Sequence, residues 1–173
     1  MKIDMKSILW ISLNWFALIL LSSCFSVRYD LKGGADIKGN TVSVQYFDNR
    51  ATRVEPSLSQ KMTDELRNYM ESNTKLRVVN TIGDHDFSGE ITDYKISPVA
   101  IAAGDQAAKT RFTITVRVKY TDSIDPDNSF DTSFSRFRDF DSTQDFSSVE
   151  GSLSEEILEE IIEQIFNKAF VNW

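Results

Sequence analysis

Hydrophobic and polar positions alternate along much of the chain after residue 41, which is the pattern of strands with one buried face. The first such segment carries Val42, Val44 and Tyr46 on one parity. The clearest one covers 111–120, and 130–140 follows it beyond a turn rich in Asp, Pro and Asn. These segments predict a first strand and a later β-hairpin.

The hairpin register can be predicted from its two aromatic ends. Pairing Tyr120 with Phe130 places Lys119 opposite Asp131, which predicts a favourable cross-strand charge pair. An earlier strand over 87–96 changes the parity of its apolar positions, and a bulge near Thr92-Asp93 would keep them all on one face. A short strand is predicted within 75–81.

Two segments have helical rather than strand periodicity. Ser57 to Gln60 resembles a capping box that opens a helix ending near Asn73, and Ser147 to Glu150 resembles a second one. The second helix repeats apolar residues every four positions, and its glutamates fall mostly on the outer side. The order β-α-β-β-β-β-α predicts an α+β fold: a two-layer sandwich with a mostly antiparallel four- to five-stranded sheet and both helices on one face.

The N-terminus has the layout of a bacterial lipoprotein precursor. Two lysines precede a short apolar run that ends in Leu-Ser-Ser before Cys24, the chain's single cysteine. The sequence therefore predicts a signal peptide over 1–23, a lipid anchor at Cys24 with a tether over 24–40, and one domain over 41–173. The predicted location is the periplasmic side of the outer membrane, held by the lipid.

Charge and residue counts exclude several kinds of protein. The net charge of −7 argues against a nucleic-acid-binding protein. One histidine and one cysteine leave little for a metal site or a histidine-based triad, and we interpret His85 as a turn residue ahead of a strand. Asp122, Asp125 and Asp127 lack the glycine and glutamate of a calcium loop, so we interpret them as a solvated turn. We expect the protein to have no catalytic activity and to bind no cofactor or metal ion.

Basic residues concentrate on the predicted strands while acidic residues concentrate on the last helix. We predict a bulge near Ser135, which would bury Phe137 and turn Arg136 and Arg138 away from the core. Strict pairing would place both arginines on the core side, where unpaired guanidinium groups are costly. With the bulge, an open basic sheet face could contact an anionic ligand or partner; the alternative is an ordinary polar sheet face. The candidate contact residues are Lys95, Arg111, Arg117, Lys119, Arg136 and Arg138.

The Leu-Ser-Ser-Cys segment at 21–24, which resembles a bacterial lipobox, the element order and several other segments together resemble the LptE family of lipopolysaccharide (LPS) assembly lipoproteins. The segments are 42–50, 89–94, 133–137 and 167–173. The resemblance implies a non-enzymatic subunit of the outer-membrane LPS translocon, seated inside the LptD β-barrel, where it assists barrel assembly and LPS insertion into the outer leaflet. The rival interpretation is a periplasmic-face lipoprotein that binds a small ligand or peptidoglycan without a barrel partner.

Overall fold

The structure is a computed structural model that describes residues 37–53, 55–99 and 108–171. Its strands are β1 (Thr41–Val44), β2 (Asp48–Asn49), β3 (Arg77–Val78), β4 (His85–Pro98), β5 (Lys109–Asp122) and β6 (Phe130–Asp141). Helix α1 (Leu58–Asn73) connects β2 to β3, and helix α2 (Phe146–Phe170) follows β6. The predicted order of the main elements is confirmed.

The sheet has six strands, with the main path β3-β1-β4-β5-β6 and with β2 paired to β4. The three longest strands, β4 to β6, are antiparallel, whereas β1 runs parallel to both of its neighbours. The α+β class is confirmed, and the sheet is mixed. Its parallel part arises because α1 crosses over between β1 and β3, and a crossover returns the chain in the same direction.

Two predicted features of the strand register are confirmed. Tyr120 pairs with Phe130, and the β4–β5 register shifts between Ile91 and Asp93. The bulge restores one parity for the apolar residues of β4, so Ile91 and Tyr94 are both buried. The helix-facing side of β4 and β5 therefore forms an apolar layer.

Both helices contribute to a single core on that face of the sheet. Phe112, Ile114, Val116 and Val118 of β5 are fully buried, as are the α2 isoleucines at 157, 161 and 165. From α1, the buried apolar side chains are Leu58, Met62, Leu66 and Met70. The predicted helix-on-sheet core is confirmed, and neither helix covers the other sheet face.

Neither predicted capping box forms. The Ser57 side chain makes no cap hydrogen bond, and its hydroxyl donates to Glu55 Oε1 at 2.8 Å. Helix α2 is capped two residues earlier than predicted, because Asp145 accepts the amide hydrogen of Ser147 at 3.2 Å. Glu150, which was predicted to take part in the cap, instead accepts the hydroxyl hydrogen of Tyr94.

His85 is a buried strand residue, so its interpretation as a turn residue is wrong. It is 2% exposed at the start of β4, and its Nε2 donates to the Lys38 carbonyl oxygen at 2.7 Å. Since a carbonyl oxygen only accepts, Nε2 carries the hydrogen and Nδ1 can accept from the Tyr120 hydroxyl, 2.8 Å away. The ring ties the segment before β1 to the sheet.

Asp122 is also buried, so the interpretation of all three aspartates as a solvated turn is wrong at this position. Its Oδ1 accepts the amide hydrogens of Ile124 and Asp125 at 2.9 and 3.0 Å. The carboxylate therefore organises the turn between β5 and β6 from inside. Asp125 and Asp127 are exposed.

The predicted signal peptide, Cys24 and most of the tether lie outside the described residues. Within the described ranges, neither helix is both long and apolar enough to cross a bilayer.

Candidate interaction surface

The sheet face opposite the helices, here called the open face, carries the charged side chains of β4, β5 and β6 that share one parity. The register places Lys95 beside Thr113, and Glu90 beside Arg117. On the far side of β5, Arg111 lies opposite Asp139 and Lys119 lies opposite Asp131. Four of the six predicted contact residues, Lys95, Arg111, Arg117 and Lys119, are therefore brought onto one surface.

Both arginines of the open face are held by aspartates of β6. Arg111 makes two hydrogen bonds to Asp139, at 2.7 and 2.9 Å, and Arg117 makes two to Asp131, both at 2.8 Å. These bidentate pairs are the arrangement that guanidinium and carboxylate groups favour. Hydrogen bonding from the arginine is the main reason that the pKa of each aspartate lies below its ordinary value.

The ion pair of Asp131 differs from the predicted one. The register is as expected, with Lys119 directly opposite, but the aspartate binds the diagonal neighbour Arg117. A diagonal partner lies within reach of a long side chain, and the guanidinium can offer two hydrogens where the ammonium offers a point charge. Lys119 still lowers the Asp131 pKa as a smaller contribution.

Arg111 is further fixed by an aromatic side chain on the open face. Its guanidinium carbon lies 3.7 Å from the centre of the Phe137 ring, and Phe137 is 46% exposed. The ring and Asp139 together hold the guanidinium in one orientation. The predicted burial of Phe137 is wrong, and its exposure follows from the register of β6.

Three basic residues of the open face remain available to a ligand. Lys95, Lys109 and Lys119 are exposed, and none of their ammonium groups forms an ion pair with a carboxylate in the part of the chain that the structure describes. Lys119 borders a shallow hollow of about 310 Å³ whose other lining residues are Ser88, Gly89, Glu90, Arg117 and Asp131. The hollow combines donors and acceptors rather than basic groups alone.

The predicted segregation of charge by element is wrong for the open face. β6 contributes Asp131, Asp139 and Asp141, and β4 contributes Asp86, Glu90 and Asp93 on the same parity as the basic residues. Cross-strand pairing favours opposite charges in neighbouring positions, so the acids and bases interleave. The open face is consequently hydrophilic and nearly charge-balanced.

Arg136 and Arg138 lie on the helix side of β6, so the predicted bulge near Ser135 is wrong. Their partners across the strand are Ile114 and Phe112, with no shift in register between β5 and β6. The cost of burying a lone guanidinium does not arise, because both side chains reach carboxylates of α2. Arg138 binds Glu156 and Glu160 at 2.7 and 2.6 Å, and Arg136 approaches Glu160 at 3.5 Å.

These two arginines also suit an edge strand. β6 ends the main path of the sheet, and an edge of 12 residues could pair with a strand of another chain. Charged side chains that point toward the helix layer discourage such pairing because a partner strand would have to accommodate them. The ion pairs with α2 raise the pKa of Arg138 and lower that of Glu160.

Comparison with known proteins identifies the family. The family model named LptE, described as lipopolysaccharide-assembly, matches residues 39–169, which is well over half of the chain. No curated protein matches the sequence.

Two solved structures share the fold at low sequence identity. A minor lipoprotein from Acinetobacter baumannii is 12% identical with a TM-score of 0.50, and the match covers 79% of this chain and 96% of that one. A protein from Xanthomonas campestris is 14% identical with a TM-score of 0.53, and the match covers 80% of this chain and 88% of the other. The family match spans all six strands and nearly all of α2. The chain therefore belongs to the LptE family of lipopolysaccharide-assembly lipoproteins, a non-enzymatic family associated with the outer membrane.

Proposed function

We propose that this protein is the non-enzymatic lipoprotein subunit of an outer-membrane LPS translocon. It is anchored through Cys24 on the periplasmic side, occupies the lumen of an LptD β-barrel, and assists both barrel assembly and the insertion of LPS into the outer leaflet. The observation that carries the proposal is the family match over residues 39–169.

The open face supports a position inside a barrel. The lumen of a large outer-membrane barrel is lined with polar side chains and must be filled or gated. A sheet face of hydroxyls and interleaved charges can exchange hydrogen bonds with such a wall. The Thr115 and Ser135 hydroxyls, 2.9 Å apart, belong to this face, as do the two arginine–aspartate pairs.

Contact with LPS phosphates is proposed for the basic residues of the open face. Lys95 and Lys119 can approach an anion directly, whereas Arg111 and Arg117 would have to exchange an aspartate for a phosphate. Arg136 and Arg138 face the helix layer, so any anion that they bind would lie at the border between β6 and α2. Their predicted role in LPS contact would therefore involve a second surface.

Charge reversal should show which of these two surfaces contributes to LPS binding. We expect Lys95→Glu with Lys119→Glu to weaken binding of LPS to the purified protein, with binding that also falls as salt rises. The matched variant Lys61→Glu with Lys75→Glu changes the net charge equally away from the open face. Equal LPS affinity in wild type and the open-face variant, with the fold retained by circular dichroism, would leave the face as a solvated surface. Arg136→Glu with Arg138→Glu tests the helix-side arginines in the same assay.

Depletion of the protein tests the barrel-assembly role in cells. We expect the LptD barrel to accumulate in a misassembled form and surface LPS to fall, because the empty lumen lacks the domain that fills it. Re-expression of the full chain should restore both. Normal barrel levels and normal surface LPS after depletion would favour the rival role of a ligand-binding lipoprotein without a barrel partner.

A further inference from the structure

The segment that leads into β1 is fixed at one end of the sheet. His85 Nε2 donates to the Lys38 carbonyl oxygen, and the Asp84 carboxylate accepts the amide hydrogens of Asn40 and Thr41 at 2.9 and 3.1 Å. The amide of Asp84 returns a hydrogen bond to Thr41 Oγ1 at 2.9 Å. Residues 38–41 are therefore bound at this end of the sheet.

Gly39 allows this close attachment. Its φ of +112° lies in the region that favours glycine, and a Cβ there would lie 2.7 Å from Ile124 Cδ1 and 2.9 Å from His85 Nε2. The chain can pass between the β5–β6 turn and the start of β4 because no side chain occupies the gap. We call residues 37–41 with their bonds to Asp84 and His85 the tether root.

Two exposed isoleucines flank the tether root. Ile82 is 81% exposed just before β4, and Ile124 is 44% exposed in the turn after β5. The two loops are joined, since the Ser123 amide and hydroxyl both donate to the Asp84 carbonyl oxygen at 2.9 Å. Ile82 is almost fully solvated and Ile124 packs only in part, against Gly39, so both offer apolar surface to a partner. Apolar loop tips suit a membrane interface.

The length of chain before the tether root limits its distance from a lipid on Cys24. Residues 25–36 separate the two, so even a fully extended connection spans only about 45 Å. Because the root is bound to one end of the sheet, the anchor holds that end within about 45 Å of its lipid. The isoleucines at this end are therefore the exposed apolar side chains best placed to meet lipid.

We infer that the tether-root end is a bilayer-contacting surface, with Ile82 and Ile124 inserting their side chains at the lipid interface. This inference rests on the proposed anchoring at Cys24. Asp125 and Asp127 follow Ile124 and are exposed, so the surface suits a zwitterionic interface better than a strongly anionic one. The domain would then stand with this end at the lipid interface and its sheet extending into the barrel partner.

Depth-dependent quenching tests the orientation. The mature acylated chain, with Ile82→Cys labelled by an NBD fluorophore, is reconstituted into phosphatidylcholine vesicles that contain nitroxide-labelled lipid. Cys24 does not compete for the label when its thiol is acylated. The matched control is Gln144→Cys, an exposed position in the β6–α2 turn at the opposite end of the sheet. We expect loss of most NBD emission at residue 82 and little loss at 144.

A second series tests the isoleucines themselves. With the label at Asp127→Cys, the double change Ile82→Asp and Ile124→Asp should reduce quenching to the level of residue 144, while Phe137→Asp on the open face should not. Equal quenching at 82 and 144, or no effect of the double change, would overturn the inference. Mass spectrometry of the same sample separates the two proposals, since a missing acyl mass on Cys24 would overturn the anchoring as well.

Discussion

Replacing Ile161 by alanine should lower the free energy of unfolding by about 2–5 kcal/mol, because the change removes a fully buried side chain from the contact between α2 and the sheet. Ile161 belongs to the stripe formed with Ile157 and Ile165, all fully buried. Close packing on both sides limits how far neighbouring groups can relax into the space. Chemical denaturation of the purified domain measures the effect.

The matched control for this change is Glu163→Ala on the outer side of the same helix. Glu163 is exposed, so its replacement should alter stability by no more than about 0.5 kcal/mol. A similarly small effect at Ile161 would contradict the helix-on-sheet core.

Gly89→Ala should destabilise the domain by about 1–3 kcal/mol or more, because the new methyl group overlaps the backbone of the neighbouring strand. A Cβ at Gly89 would lie 2.2 Å from the Arg117 carbonyl oxygen and 2.6 Å from Phe47 Cε1. The first contact is with backbone and cannot be relieved by a rotamer change, so β4 and β5 must separate locally. Thermal or chemical unfolding of the variant measures the cost.

Gly151→Ala provides the opposite expectation within the same protein. Gly151 lies in α2, and a methyl group at this position would meet no described atom of another element within 4 Å. Alanine should therefore stabilise the helix by about 0.5–1 kcal/mol through its higher helix propensity. Equal and small effects at both glycines would contradict the close approach of β4 to Phe47 and β5.

The antiparallel half of the fold could be predicted because its determinants are local in sequence. The alternation of apolar and polar residues determines which side chains of a strand are buried. Pairing Tyr120 with Phe130 then sets every cross-strand partner along the hairpin. The same register places Asp139 opposite Arg111, so this bidentate pair could have been predicted from the sequence. The parallel half depends on how α1 crosses the sheet, which no local pattern specifies.

Two of the errors, at the β6 arginines and at His85, share a physical cause, which is compensation by a distant residue. The cost of a lone buried guanidinium favours turning Arg136 and Arg138 outward, yet Glu156 and Glu160 of α2 supply the counter-charges. The sequence around His85 favours a turn, but Tyr120 and the Lys38 carbonyl satisfy both ring nitrogens in the interior. Sequence separation hides such partners until the fold brings them together.

Copurification with a barrel tests the central claim most directly. The protein, carrying a C-terminal affinity tag, is isolated from detergent-solubilised outer membranes, and its partners are identified by mass spectrometry. The account predicts one very large β-barrel protein of the LptD type in stoichiometric amount. Recovery of the intact, acylated protein from those membranes without any such barrel would contradict the account.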